Sequence, residues 1–199
     1  MLIYEEPTAE RLALLISEEF FSGIPFANSN QQIVEGLSLL SEWAKDASKQ
    51  NISEVKDELN REWLRLLVGL GEPAAPPWAA YYFEKDPVIF GAKTLEVRKW
   101  YARHGLELKR KYTEPDDHLG LMLQFLSVLI GKETESLEAG ETDNAQQLRL
   151  EQKEFLNRNL LPWVDHWQNL MSEEARTSFY KGLALLITGT LHVHAAGLR

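Results

Sequence analysis

Five consecutive positions, Glu114-Pro115-Asp116-Asp117-His118, put three carboxylates and an imidazole directly ahead of a strongly apolar stretch. Such a set can move protons, hold a metal ion or pair with a guanidinium. Pro115 suits the first position of a helix, where its missing N–H would have had no partner anyway. On that reading Glu114 lies near the N-cap and Asp116, Asp117 and His118 occupy the first turn. Carboxylates there complement the helix dipole at ~0.3–1 kcal/mol each, so simple capping competes with a binding site as the explanation. At helical spacing Leu119, Met122, Leu123, Leu126 and Ile130 form one stripe, and Leu121, Phe125, Val128 and Leu129 cover much of the remainder. Only Gly120, Gln124 and Ser127 leave a polar seam, which predicts a central, buried helix running to about Gly131. A charged cluster at the end of a buried helix is expected to open into a cleft.

The elements that must position this cluster read as helices. Thr8 caps a first helix through Leu12, Leu15, Ile16, Glu19 and Phe20. A second is predicted from about Asn30 to Ala47, and a third, capped by Ser53, carries Val55, Leu59, Trp63 and Leu66 on one face. Two glycines and three prolines between Gly69 and Pro77 end that pattern, and Pro76-Pro77 favours an extended path into Trp78. A short helix follows from Thr94 to His104 with Gly105 as its C-cap. After the buried helix, Lys132 to Gln147 is polar and reads as a helix end plus an exposed connection. Further helices are predicted from about Ala145 to Asn159, from Pro162 to before Ser172, and from Ser172-Glu173-Glu174 onward. Tyr81-Tyr82-Phe83 is the lone strand candidate. The expectation is an all-α fold of eight to ten helices in a single domain: N-terminal helices at 8–68, a structured connection at 69–93, and C-terminal helices at 94–196. So long a connection, rich in aromatics, is expected to pack over the helices as a lip. It also offers a hinge for a domain-swapped dimer beside a monomer.

Three chemistries can be weighed for the cluster. Catalysis would draw an acid/base pair from Glu114, Asp117 and His118, but the chain has no cysteine, no G-x-S-x-G, no P-loop and no G-x-G-x-x-G. Metal binding lacks a ligand array: His192 and His194 stand two apart, which splays them on a helix, and His104 and His166 read as structural. The expectation is therefore a protein that is not an enzyme and holds neither metal nor cofactor. Peptide capture agrees best with the residue types. Glu114, Asp116 and Asp117 supply acceptors whose geometry suits arginine, and Trp63, Trp78 and Tyr82 supply apolar walls and cation–π faces.

Composition narrows the partners. The 199 residues are 44% hydrophobic and 26% charged, ordinary for a globular protein, with a net charge of −9. That charge argues against nucleic acid and anionic lipid and favours cationic guests. Met1 to Glu6 lacks a basic leader region and no apolar run reaches spanning length, so a cytoplasmic protein without stable membrane insertion is expected. One stretch opposes the trend: Lys93 to Lys111 holds seven basic residues against Glu96 and Glu107. It is expected to be a solvated helix face, with docking of an acidic protein as the alternative.

The order Trp63-Leu64-Arg65, Ala75-Pro76-Pro77-Trp78, Val88-Ile89-Phe90-Gly91, Trp100-Tyr101, Glu114-Pro115-Asp116-Asp117-His118 and Leu161-Pro162-Trp163 resembles the TorD/DmsD family of redox-enzyme maturation chaperones, most of all its DmsD branch. The resemblance runs from about residue 59 to 191. It implies a cytoplasmic chaperone that binds the twin-arginine leader of a molybdenum-cofactor oxidoreductase of the DMSO/TMAO reductase type and proofreads it before export. Carried over by motif, it implicates Trp63, Pro77, Trp78, Tyr82, Lys85, Glu114, Pro115, Asp117 and His118 in peptide binding. Further partners it implies are the Tat translocase and cofactor-biosynthesis proteins. Lys85 stands where such chains carry arginine, Ala80 where a small hydroxyl is common, and Met122-Leu123 where many have Glu-Leu. The alternatives are assembly of a non-exported nitrate reductase subunit and a nucleotide-dependent enzyme or switch of the same fold.

Overall fold

The computed structural model describes the whole chain except residues 1, 18, 19, 22, 25, 70, 87–89, 109–113 and 199. Glu19, Val88-Ile89, Lys109 to Lys111 and Tyr112-Thr113 thus lie outside the described residues. The fold is all-α. Nine helices are present among the described residues: α1 Ala9–Ile16, α2 Gln31–Ala47, α3 Ile52–Trp63, α4 Ala79–Phe83, α5 Ala92–Arg103, α6 Leu119–Glu138, α7 Thr142–Phe155, α8 Leu161–Glu174 and α9 Ser178–Gly197. The only extended pairing among them is an isolated antiparallel bridge between Trp78 and His118. None of the helices is long and apolar enough to cross a membrane.

The chain divides into two compact units, Met1–Pro76 with Val164–His194, and Pro77–Trp163 with Ala195–Arg199. In the first, α1 packs on α2 and α3, and α2 lies backbone to backbone against α9. A methyl group on Gly36 would stand 2.8 Å from the Gly182 carbonyl, and one on Gly182 would stand 2.8 Å from that of Gly36. Only residues without a Cβ permit that approach. The start of α9 is held from α3: the buried Glu62 carboxylate accepts from the backbone N–H groups of Arg176 and Thr177, and Tyr180 Oη–H donates to the Leu59 carbonyl at 3.2 Å.

In the second unit α6 packs along α7 and α4 against α5. Its centre is aromatic: Phe125 lies 4.9 Å from Tyr101 and 4.8 Å from Phe155, which in turn meets Trp100 at 5.5 Å. Both α3 and α7 end in a wide π turn, at Leu64–Val68 and Leu156–Leu160. Such a turn releases carbonyls from the helical ladder, and here they find partners. The Arg158 carbonyl takes Lys93 Nζ at 3.2 Å and the Asn159 carbonyl takes Trp163 Nε1–H at 2.6 Å. Lys93, buried, also donates to Asn159 Oδ1 at 2.9 Å and sits 4.3 Å over the Phe83 ring. Burial pushes its ammonium below the ordinary lysine range, against the opposing pull of Glu96.

Several boundaries depart from expectation. The third helix is capped by Asn51 rather than Ser53. Tyr81-Tyr82-Phe83 is helical, because Asp117 caps the turn they belong to. The polar stretch from Lys132 continues α6 as far as Glu138, and α9 begins at Ser178, where Thr177 Oγ1 rather than Ser172 receives a first-turn N–H. The largest departure concerns the acidic cluster: α6 begins at Leu119, not at Pro115.

Candidate functional site

The bridge between residues 77–79 and 117–119 explains that late start. Leu119 N–H donates to the Pro77 carbonyl at 2.7 Å and Ala79 N–H donates to the Asp117 carbonyl at 3.1 Å. Groups that would have joined a helical turn are thereby spent on the Pro-Pro-Trp segment. His118 is held extended, with ψ 129°, and becomes the N-cap, its Nδ1 accepting from Gly120 N–H at 3.0 Å. Pro115 closes a turn instead, its carbonyl accepting from His118 N–H at 3.1 Å. No carboxylate occupies the first turn of α6, so the helix-dipole reading of Asp116 and Asp117 is corrected.

Each acid has a different task. Asp117 is fully buried; Oδ2 accepts from Ala80 N–H at 2.8 Å and Oδ1 from the Thr94 hydroxyl at 2.6 Å. It therefore caps α4 across space and ties that helix to α5. Asp116 receives Arg98 Nε and Nη2 on the single oxygen Oδ2, at 3.1 and 2.7 Å, and its carbonyl takes the Tyr101 hydroxyl. Glu114 remains half-buried and accepts Trp78 Nε1–H on Oε1 at 2.6 Å. Burial raises its pKa, the indole bond pulls the other way, and the Asp117 charge adds to the rise. His118 is pushed down to about 3 by burial, so the ring is neutral at physiological pH. Its ring meets Trp78 edge-on at 6.0 Å between centroids.

The structure thus brings Pro77, Trp78, Glu114, Pro115, Asp117 and His118 into one cluster of the second unit. Tyr82 follows on α4, stacked on Trp163 at 4.9 Å, and Lys85 is exposed just beyond that helix. Trp63 belongs to the first unit, half-buried on α3; its ring N–H has no acceptor among the described residues. Thr94, Arg98 and Tyr101 complete the cluster and were not singled out from the sequence. The signal for Thr94 was a polar residue on the inward face of α5, one turn before Arg98. Of the basic stretch, Lys93 and Arg98 are engaged inside the fold rather than on a solvated face, whereas Lys99 and Arg103 are exposed. His104 contacts Glu151 at 2.9 Å and His192 contacts Asp165 at 2.9 Å. Among the described residues no group of three or more His, Cys, Asp or Glu side chains could hold a metal ion.

This assembly has relatives. Residues 28–169 match the profile of the family described as nitrate reductase delta subunit. The Tat proofreading chaperone DmsD of Salmonella paratyphi A is 28% identical over 136 residues, covering 68% of this chain and 60% of that protein. The chaperone protein TorD of Vibrio vulnificus is 26% identical over 155 residues, 71% of each chain. The matched stretch spans 60% of the length of the curated DmsD relatives. A crystal structure of a candidate redox enzyme maturation protein from Archaeoglobus fulgidus shares the fold, with a TM-score of 0.51 at 18% identity over 96% of this chain and 88% of that one. With the family profile matching most of its length and DmsD and TorD chaperones among its relatives, the chain belongs to the TorD/DmsD family of redox-enzyme maturation chaperones.

Proposed function

We propose that this protein is a cytoplasmic chaperone that binds the twin-arginine leader of a molybdenum-cofactor oxidoreductase and holds the apoenzyme until its cofactor is inserted. The observation that carries the reading is the state of Glu114. It is a half-buried carboxylate, fixed by one indole bond to Oε1, whose Oε2 accepts from no described group. A guanidinium docking there finds a preorganised acceptor in a partly apolar setting, where a charged hydrogen bond contributes about 1.5–3 kcal/mol. Trp78 offers a rigid aromatic face beside it for a cation. Asp117, His118, Pro77 and Pro115 form the floor that aims these two groups, and they act on the guest through them. Tyr82 on α4, Lys85 just beyond it and Trp63 stay proposed contacts on the resemblance alone.

Titration calorimetry with a leader peptide bearing Arg-Arg, and with its Lys-Lys variant, tests the reading. Lysine keeps the charge and loses the planar fork, so the Lys-Lys peptide is expected to bind about tenfold more weakly. Equal affinities would defeat the proposal. The family description favours one second reading, assembly of a nitrate reductase subunit that is not exported. Tight binding of such a subunit's N-terminal segment, lacking paired arginines, would support that alternative.

A further inference from the structure

In the first unit, α3 and the turn into α9 enclose a cavity of about 230 Å³ lined by Glu58, Arg61, Glu62, Arg65, Arg176 and Thr177. Its three guanidiniums are not held alike. Arg65, in the π turn that ends α3, is tied to the end of α8: Nη1 lies 3.2 Å from Glu174 Oε2, and Nη2 donates to the Glu174 carbonyl. The guanidiniums of Arg61 and Arg176 donate to no described group. Arg61 has Asp57 and Glu58 about one turn before it on α3 and pairs with neither; Asp57 sits 3.6 Å from Lys56 instead. In a chain with 30 Asp and Glu against 21 Lys and Arg, acidic partners are in excess. Two arginines left open on one cavity are therefore not explained by a shortage of carboxylates.

We propose that this cavity is a docking site for the carboxylate side chains of an acidic segment on a partner protein. The base of the site is built in advance. Glu62 is buried and both its oxygens accept backbone N–H groups, from Arg176 and Thr177, so its charge is spent within the fold and fixes the backbone that carries Arg176. Thr177 Oγ1 accepts from Tyr180 N–H at 3.5 Å, which leaves its hydroxyl proton to donate. Charge then selects the guest. With Glu62 spent on N–H groups and Arg65 matched by Glu174, the two open arginines face only the Glu58 carboxylate, a surplus of one positive charge. A carboxylate brings one negative charge and two coplanar oxygens that fit a guanidinium fork. A phosphate dianion would exceed that surplus beside Glu58. Arg61 and Arg176 are exposed, and exposed ion pairs are individually weak. A lone small acid would thus be poorly held, whereas a segment bearing two or more carboxylates engages both arginines at once. The site stands apart from the leader-binding reading, since none of its residues belongs to the cluster around Glu114.

The test uses the isotope-labelled full chain at low ionic strength, with three probes: a short peptide of alternating alanine and glutamate, its glutamine counterpart, and inorganic phosphate. In NMR titrations the glutamate peptide should shift the amide signals of Arg176 and Thr177 and the side-chain signal of Arg61, and the glutamine peptide should shift none of them. Arg61→Gln and Arg176→Gln should each weaken the glutamate peptide about threefold to fivefold. Both side chains are exposed and open, so the two variants should keep the wild-type melting temperature. Lys153→Gln, at an exposed position of the second unit, should leave the affinity unchanged. Equal weakening in all three variants would reduce the effect to net charge and overturn the site, as would the absence of shifts at α3 and the turn into α9. Phosphate binding there more tightly than the glutamate peptide would overturn the carboxylate assignment. Loss of self-association in Arg61→Gln, with peptide affinity unchanged, would make the groove a contact between copies and overturn it too.

Discussion

Asp117 and Glu114 are near neighbours of the same type, and burial alone separates their roles. Asp117 spends both carboxylate oxygens inside the protein. Asp117→Asn turns an N–H toward either the Ala80 N–H or the Thr94 hydroxyl, leaving one buried donor unsatisfied. Stability should drop by about 1–3 kcal/mol in urea unfolding, with Glu114→Gln costing far less. Peptide affinity should respond in the opposite order. His118 adds a pH dependence. The folded ring resists protonation down to about 3, whereas the unfolded ring takes a proton near its ordinary 6.5. The stability it supports is therefore complete above pH 6.5 and drains as pH falls toward 3, at ~1.4 kcal/mol per unit at most. His118→Asn keeps a side-chain acceptor at the N-cap without the titration. Thermal melts from pH 7 to 4 should show the wild type losing ground to this variant.

Among the elements, the α2–α9 crossing is the least tolerant of added volume. Gly36→Ala or Gly182→Ala places a methyl group against backbone, which cannot step aside, and about 1–3 kcal/mol of destabilisation is expected. Gly131 in α6 meets nothing within 4 Å. Gly131→Ala should stabilise by ~0.5–1 kcal/mol through helix entropy. Chemical denaturation of the three variants checks both signs. The same scale shows why helix ends were harder to read than helix bodies. Apolar periodicity announces α2, α3 and α6 locally, but the start of α6 is decided by the Pro77 and Ala79 backbone nearly forty positions upstream. Likewise α9 waits for Thr177 because Glu62 of α3 satisfies the N–H groups before it.

For the molecule as a whole, a net charge of −9 shapes encounter more than residence. A cationic leader should associate fastest at low ionic strength, and raising the salt should slow the on-rate with little change in off-rate. Stopped-flow fluorescence from the tryptophans can follow both. A parallel fall of affinity and a rise of off-rate with salt would place the binding energy in charge pairs rather than in apolar burial.

Helical class and the family blocks were legible in the linear chain, because periodicity and residue chemistry are local properties, and so were the acids proposed to meet a cation. Their division of labour was not. Three acids within four positions look alike in sequence; the fold buries one completely, pairs the second with Arg98 and leaves the third half-buried against an indole. The placement of Leu106 and Leu108 against α6 was hidden as well. Leu106 and Leu108 follow a helix and Leu121 and Val128 lie within another, and only the Gly105 reversal and the packing of α6 bring them to one wall. Hydrogen-bond satisfaction across long sequence separations divided the acids, and no local pattern encodes which distant donor a buried acceptor will meet.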